Sequence, residues 1–174
     1  MNFIDRGAEF SMDRSHRFTL WREWSTDLPT LMVIGLNPST ADEHEDDPTI
    51  RRCIGFANHW GFGRLEMTNL FAFRSTNPKA LTFHREGPMQ RRNLAIIGSL
   101  IPNILIGGGG ILAAWGANGA GYEESILRMF RQAGVPVACL GTTKNGSPKH
   151  PLYIPYSQRP VAYMNSSGGV LCGA

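Results

Sequence analysis

Residues 31–39 carry the sequence LMVIGLNPS, in which a continuous apolar run meets a polar turn. Such a run is typical of a strand that is covered on both faces. It ends abruptly at Asn37, Pro38 and Ser39. In open α/β sheets, ligands bind beyond the carboxyl ends of the strands. This stretch therefore predicts a buried central strand with a polar candidate site at its end.

Helices and strands alternate on the carboxyl side of this strand. Asp47 and Pro48 predict a helix start, as N-cap and first helical residue, and Gly61 predicts its end. The further predicted elements are a strand over 65–73, a helix from Pro88 that Pro102 breaks, a third strand ending near Gly116, a helix over 122–133 and a fourth strand over 137–140. The alternation predicts a three-layer α/β/α sandwich around a mainly parallel, about four-stranded central sheet.

The amino-terminal side has a different pattern. From Phe18 to Trp24 apolar residues fall on alternate positions, interrupted at Arg22, which predicts a half-buried strand at a sheet edge or in a hairpin. We interpret residues 1–30 as a strand or hairpin extension of a single domain, 1–174, because 174 residues are the size of one domain. A hydrophobic content of 42% excludes a disordered chain.

The sequence predicts a cytoplasmic protein with no membrane contact. No apolar run reaches the roughly 20 residues that cross a bilayer, and residues 1–7 lack the layout of a secretory signal. Cys53, Cys139 and Cys172 are too few and too scattered for a disulfide framework or a four-thiolate metal site. We interpret them as buried or incidental thiols.

Charge is distributed unevenly along the chain. Residues 1–47 carry a net charge of −6 and residues 48–174 a net charge of +9. A basic body attracts a polyanion such as nucleic acid, although an ordinary solvated surface has the same composition.

Polar residues near the predicted strand ends each allow two interpretations. Asn37 either caps a turn or fixes a water or ligand. Asn69, in an apolar strand, belongs to a structural amide network or reads the edge of a nucleobase. His150 is a surface residue of a turn or donates to a developing anion, and Lys144 and Lys149 beside it can meet phosphates.

The acidic residues 42–47 also allow two interpretations. They form a solvated loop that favours the following helix dipole, or they bind a divalent cation, as a metal-dependent nuclease would require. A serine hydrolase has little support, because Ser39 lacks the glycine-elbow pattern.

Three segments, GLNPS at 35–39, TNLFAFRSTN at 68–77 and KHP at 149–151, together resemble the ordered motifs of the uracil-DNA glycosylase superfamily. The resemblance implies a fold of that type. It also implies that Asn37 positions the attacking water, that Asn69 reads the flipped base, and that His150 lies against the base oxygen that becomes anionic.

Nearly the whole chain is also similar to a bacterial and phage family catalogued as a domain of unknown function. The segments that carry this likeness are LNPSTAD at 36–42, DDPTIRRC at 46–53, NLFA at 69–72 and HPLY at 150–153. This second resemblance brings no settled activity.

The glycosylase resemblance leads to further expectations about the site. Asp42, the nearest carboxylate to Asn37 in sequence, is expected to assist catalysis. The residues expected to bind the substrate are Pro38, Ser39, Phe56, Asn69 and Phe71, with either phenylalanine stacking on the base. The residues expected to bind DNA are Arg74, Lys144 and Lys149, through phosphates, and Leu152 and Tyr153, as wedges in the duplex.

Two departures from the glycosylase pattern matter. Position 37 is Asn rather than the Asp of the fastest uracil glycosylases, which predicts weak water activation or an unusual substrate. The three cysteines do not match an iron-sulfur cluster, so we expect no cluster, no metal and no other cofactor.

The predicted function is a monomeric DNA glycosylase-like hydrolase that removes a flipped, damaged or modified base. The alternative is a non-catalytic protein that binds nucleotides or nucleic acid in the same crevice.

Overall fold

The structure, a computed structural model, describes residues 1–164. Over this range the chain forms strands β1–β7 and helices α1–α3 in a mixed α/β fold. The strands are β1 Asp5–Phe10, β2 Arg17–Glu23, β3 Thr30–Gly35, β4 Arg64–Asn69, β5 Gly110–Ala113, β6 Val137–Cys139 and β7 Val161–Met164. The helices are α1 Pro48–His59, α2 Pro88–Ile106 and α3 Glu124–Ala133, with 3₁₀ helices at Pro78–His84, Ala117–Gly119 and Pro151–Tyr153.

All the strands belong to one sheet with the order β1-β2-β4-β3-β5-β6-β7. The neighbours β4, β3, β5 and β6 are parallel, whereas β1, β2 and β7 pair antiparallel at the two edges. The α/β class is confirmed. The predicted strand number was wrong, because the sheet has seven strands within residues 1–164 rather than about four. β1 and β2 form a hairpin, one of the two forms expected for residues 1–30, although DRGAEF lacks the apolar alternation that would have placed β1. The sequence signal missed β7 because VAYM is short.

Helices cover the sheet on both faces. Leu31 and Val33 of β3 belong to the apolar cluster beneath α1, and Met32 and Ile34 belong to the cluster beneath α2 and α3. Because successive side chains of a strand point to opposite faces, an unbroken apolar run is what this two-sided burial requires. The core thus lies in two layers, one on each side of the sheet.

Helix α1 begins where its sequence predicts. Asp47 caps it, since its carboxylate accepts a hydrogen bond of 2.8 Å from the backbone N–H of Ile50. The helix ends at His59, and Gly61 follows with a φ of 81°, a left-handed conformation that glycine adopts without strain.

Helix α2 does not end at Pro102, so that prediction was wrong. The helix continues to Ile106, and β5 begins only at Gly110. Ile97, Ile101 and Ile104 lie on one buried face across the proline. Burial of this continuous stripe outweighs the lost backbone hydrogen bond of one proline.

The thiols Cys53 and Cys139 are free and buried, and Cys172 lies outside the described residues. Burial raises the pKa of Cys53 to about 12, so the thiol stays protonated and unreactive. Within the described range, none of the helices combines the length and the apolar character that crossing a membrane requires.

Strand β4 ends at Asn69 rather than near Phe73. Gly35 and Asn69 are direct neighbours at the carboxyl ends of β3 and β4. Beyond this pair, the N–H groups of Leu70 and Phe71 donate to the carbonyls of Gly35 and Leu36. The chain therefore leaves the sheet at the point where the predicted polar site begins.

Candidate functional site

A cavity of about 370 Å³ lies beyond the carboxyl ends of β3, β4 and β5. Asn37, Asn69 and His150 all line it, although they are distant in sequence. Its volume falls within the range of pockets that enclose one small organic molecule. The fold therefore brings together the three side chains that the sequence analysis singled out.

Asn69 lies in the wall of this cavity with only 1% of its surface exposed. Neither its Oδ1 nor its Nδ2 has a hydrogen-bond partner within the described residues. A Cβ atom at Gly35 would come within 2.7 Å of Oδ1, so the absence of a side chain there gives the amide its position. The interpretation as a structural amide network is not supported, because such a network would pair these atoms.

Asn37 follows β3 and lines the same cavity. Its Nδ2 donates to the carbonyl oxygen of Ser75 over 2.7 Å and to that of Pro38 over 2.9 Å. These bonds fix the orientation of the amide. They leave Oδ1 without a protein partner among residues 1–164, so this oxygen can accept a hydrogen bond from water or a ligand.

His150 reaches the cavity from the segment before the 3₁₀ helix Pro151–Tyr153. Its Nδ1 accepts a hydrogen bond of 3.3 Å from the N–H of Leu152, which assigns the proton of the neutral ring to Nε2. Although the residue is exposed at the rim, the protein atoms around the ring lower its pKa, and the negative charge of Asp47 opposes this only in part. A neutral ring with Nε2–H available can donate to an oxygen.

Two charged residues in the lining were missed as functional candidates. Asp47 was identified as an N-cap and as one acid of the possible cation-binding stretch 42–47, yet it faces the cavity. Arg17 was identified only as part of a strand, yet it is 1% exposed and lines the cavity as well. Arg17 falls among the polar positions of its strand, and Asp47 is one of several acids in residues 42–47, so neither residue stood out from its neighbours in the sequence.

Asp42 does not line the cavity, which corrects the expectation that it assists catalysis. Its Oδ1 accepts hydrogen bonds of 2.8 Å from the N–H groups of both His44 and Glu45. These bonds lower the pKa of Asp42 and hold the carboxylate within its own turn. Nearness in sequence to Asn37 was therefore a poor guide to nearness in space.

Phe56 and Phe71 are core residues, and neither lines the cavity. They belong to the apolar clusters on opposite faces of the sheet. Phe56 packs against Trp60 and Tyr156 instead. The aromatic residue in the lining is Trp115, whose buried Nε1 has no hydrogen-bond partner among the described residues.

In the turn after β3, Ser39 and Pro38 have different roles. Ser39 lines the cavity, whereas Pro38 is buried outside it and accepts a hydrogen bond from the N–H of Ser75. Pro38 thus stabilises the turn rather than contacting the cavity, which corrects its expected substrate contact.

The expected DNA-binding residues are close in sequence to residues that line the cavity, but they do not line it themselves. The guanidinium of Arg74 donates to the carbonyls of Ser39, Thr40 and Arg14, so it also anchors the loop. Lys144 and Lys149 are exposed. Beyond His150, Leu152 is half-buried, and Tyr153 is 90% exposed.

The acidic loop is held by arginines of the amino-terminal strands and the turn between them. Arg14 pairs with Glu43 over 2.7 Å, and Arg22 pairs with Asp46 over 2.8 Å. Residues 1–164 contain no group of three His, Cys, Asp or Glu side chains placed to hold a metal ion. The metal-dependent nuclease therefore gains no support from this loop.

A search of curated proteins and a search of solved structures returned no match. One family matches residues 17–152, which include Arg17, Asn37, Asp47, Asn69 and His150. The match confirms the resemblance to a family catalogued as a domain of unknown function. Because it covers most of the sequence, the chain belongs to the family DUF1643, whose description is protein of unknown function.

Proposed function

We propose that this protein is a DNA glycosylase-like hydrolase that cleaves the N-glycosidic bond of a flipped, damaged or modified nucleobase, and that its fold is of the uracil-DNA glycosylase type. The observation that carries the proposal is the buried amide of Asn69, which has no partner and lies in one cavity with Asn37 and His150. A buried amide without partners costs free energy unless a ligand satisfies it.

The proposed reaction develops opposite charges on the base and on the sugar. The bond between C1′ of the sugar and the ring nitrogen breaks, and its electron pair leaves with the base as an anion. Positive charge develops on the sugar. Water adds its oxygen to C1′ and releases a proton to solvent, while the base takes up a proton, so the products are a free base and an abasic sugar.

Each of the three side chains offers an atom suited to one part of this reaction. Asn69 presents both an acceptor and a donor, as the pairing edge of a base requires. His150 presents Nε2–H, which can stabilise the oxygen of the departing anion. Asn37 presents Oδ1 in a fixed orientation, which can position water.

DNA is the proposed partner and the protein acts as a monomer. The cations Arg74, Lys144 and Lys149 would bind phosphates, and the exposed ring of Tyr153 supports its role as a wedge. Extrusion of the nucleotide is needed because the reacting atoms are inaccessible within a duplex.

The test is incubation with oligonucleotides that contain uracil, hypoxanthine, mismatched thymine or phage-type modified pyrimidines, followed by hot alkali to reveal abasic sites. We expect cleavage of at least one substrate. His150→Ala should lower the rate by about 10² to 10³-fold, as removal of other transition-state donors does. His59→Ala, which removes an exposed histidine at the end of α1, is the matched control and should leave the rate unchanged.

Two results would contradict the proposal. The first is a rate that stays unchanged in both Asn37→Ala and His150→Ala. The second is tight binding of a free nucleotide or unmodified DNA with no abasic product from any substrate. That second result would favour the nucleotide-binding alternative.

A further inference from the structure

Arg17 and Arg22 are both buried on β2 but have different surroundings. Arg22 is 0% exposed and pairs with Asp46 over 2.8 Å, and it also donates to the carbonyls of Trp21 and Asp42. The side chain of Arg17 has one protein hydrogen bond among residues 1–164, from Nη1 to the carbonyl of Ala41, and its Nε has no partner. Arg22 therefore has an ion pair within the described residues, and Arg17 has none.

The guanidinium of Arg17, which lacks an ion pair among residues 1–164, lines the cavity. Burying a charge without an opposite charge is expensive, so a protein gains from such a group only when something pairs with it. Burial lowers the pKa of Arg17 to about 10, which still leaves it positively charged at neutral pH. Arg17 therefore offers a fixed positive charge and a free N–H donor to whatever occupies the cavity.

Asp47 places a negative charge in the same lining. Its position is fixed by the hydrogen bond from Ile50 at the start of α1. Within residues 1–164, no ion pair of 4.0 Å or less joins it to Arg17. Arg17 is almost wholly buried and Asp47 is partly exposed. The negative charge of Asp47 raises the pKa of Arg17 against the effect of burial, so the two charges interact without forming an ion pair.

We propose that Arg17 binds the anionic nucleobase as it leaves and that Asp47 stabilises the positive charge on the sugar. This inference rests on the proposed function and extends it by two catalytic residues and by a ligand class, namely a planar ring that carries a negative charge. One positive and one negative side chain in the same lining correspond to the two charges that develop as the bond breaks. Both charges are in place before the reaction, so little reorganisation is needed.

The first experiment measures binding and needs no catalysis. Calorimetry compares barbiturate, a planar imide that is anionic at neutral pH, with uracil, which is neutral. The wild-type protein should bind barbiturate more tightly by about 10 to 100-fold, the range for hydrogen bonds to charged groups. Arg17→Gln should lose this preference, and Arg17→Lys should retain part of it because it keeps the charge.

Arg91→Gln is the control, since it makes the same substitution at an exposed cation of α2 that does not line the cavity. It should keep the barbiturate preference. Circular dichroism and thermal unfolding identify the variants that remain folded. If folded Arg17→Gln or Arg17→Lys does not alter the preference in this order, the role of Arg17 is wrong. A dependence on Arg17 for inorganic phosphate but not for barbiturate would also overturn it.

The second experiment compares the excision of uracil with that of 5-fluorouracil, whose anion is the more stable leaving group. Arg17→Gln should slow the excision of uracil by about 10 to 100-fold and that of 5-fluorouracil by less, because a more stable anion depends less on stabilisation by the guanidinium. Asp47→Asn should slow both equally, and asparagine retains the helix cap. The exposed Asp27→Asn is the control that should change neither rate.

The outcomes separate the two proposals. Excision that is insensitive to Arg17 and Asp47 overturns this inference and leaves the proposed function standing. Absence of excision, together with an Arg17-dependent preference for barbiturate, overturns the proposed function and retains Arg17 as a site for an anionic ring. Equal losses for both bases in Arg17→Gln would show that the guanidinium does not act on the leaving group.

Discussion

The amide of Asn69 links the proposed function to stability at the scale of a single residue. Its two polar atoms are buried in the folded protein and lack partners, whereas water satisfies both in the unfolded chain. This imbalance lowers the free energy of unfolding. Residues that bind ligands often carry such a cost, because a group optimised for a ligand is not optimised for the empty protein.

Asn69→Leu replaces the amide with an apolar side chain of similar shape. We expect the free energy of unfolding to rise by about 1 to 3 kcal/mol, the cost of an unsatisfied buried polar group. Binding of a nucleobase should be lost in the same variant. Chemical denaturation and calorimetry measure the two effects.

Asn93→Leu is the matched control for this prediction. Asn93 is also fully buried, but its Nδ2 donates to the carbonyls of Asn69 and Leu70. Its removal takes this donor from the carbonyl of Asn69, whereas the carbonyl of Leu70 keeps its hydrogen bond from Gln90. This variant should therefore be less stable than wild type. A loss of stability in Asn69→Leu comparable with that in Asn93→Leu would contradict the interpretation of Asn69.

The element that shapes one wall of the cavity is the loop between β3 and α1. The loop is acidic, yet it is bound to arginines of the β1–β2 hairpin rather than left in solvent. Arg17 adds a hydrogen bond to the carbonyl of Ala41 at the start of this loop. The amino-terminal hairpin therefore helps to position Asp47 and Asn37.

Asp46→Ala tests this anchoring. The change leaves the guanidinium of Arg22 buried without its carboxylate, which should lower the free energy of unfolding by about 3 to 5 kcal/mol. Glu43→Ala removes the exposed partner of Arg14 and should have a far smaller effect. Urea unfolding of the two variants gives the comparison, and equal losses would argue against the anchoring role of Arg22.

At the scale of the whole molecule, the amino-terminal quarter of the chain has a negative net charge and the rest has a positive one. Much of the acidity of residues 1–47 is neutralised within the fold, as the pairs at Glu43 and Asp46 show. Residues 48–174 carry a net charge of +9, of which Arg64 and Arg92 pair with acids of the amino-terminal strands. This distribution favours binding of a polyanion through the carboxyl-terminal three quarters of the chain.

DNA binding should weaken as salt concentration rises, because bound cations of the protein displace counterions from the phosphates. Lys149→Gln should reduce the slope of log affinity against log salt by about 1. Arg128→Gln, on the exposed side of α3, should leave the slope unchanged. Fluorescence anisotropy at several salt concentrations measures the slopes, and identical slopes for wild type and Lys149→Gln would exclude this phosphate contact.

Much of the parallel part of the fold was predictable because its signals are local. The apolar run at 31–36, the cap at Asp47 and the apolar face of α3 each depend on neighbouring residues alone. The edge strands β1 and β7 and the continuation of α2 beyond Pro102 were not predictable in this way. Their stability comes from pairing and packing with residues far along the chain.

The sequence by itself determined the α/β class, the family, and the polar residues Asn37, Asn69 and His150 at predicted strand ends. Only the tertiary structure decided that these three share one cavity and that Arg17 and Asp47 join them, while Asp42, Phe56 and Phe71 do not. The physical reason is that residue type and spacing fix local backbone geometry. Which side chains meet, and which buried groups stay unpaired, depends on long-range packing that no local pattern encodes.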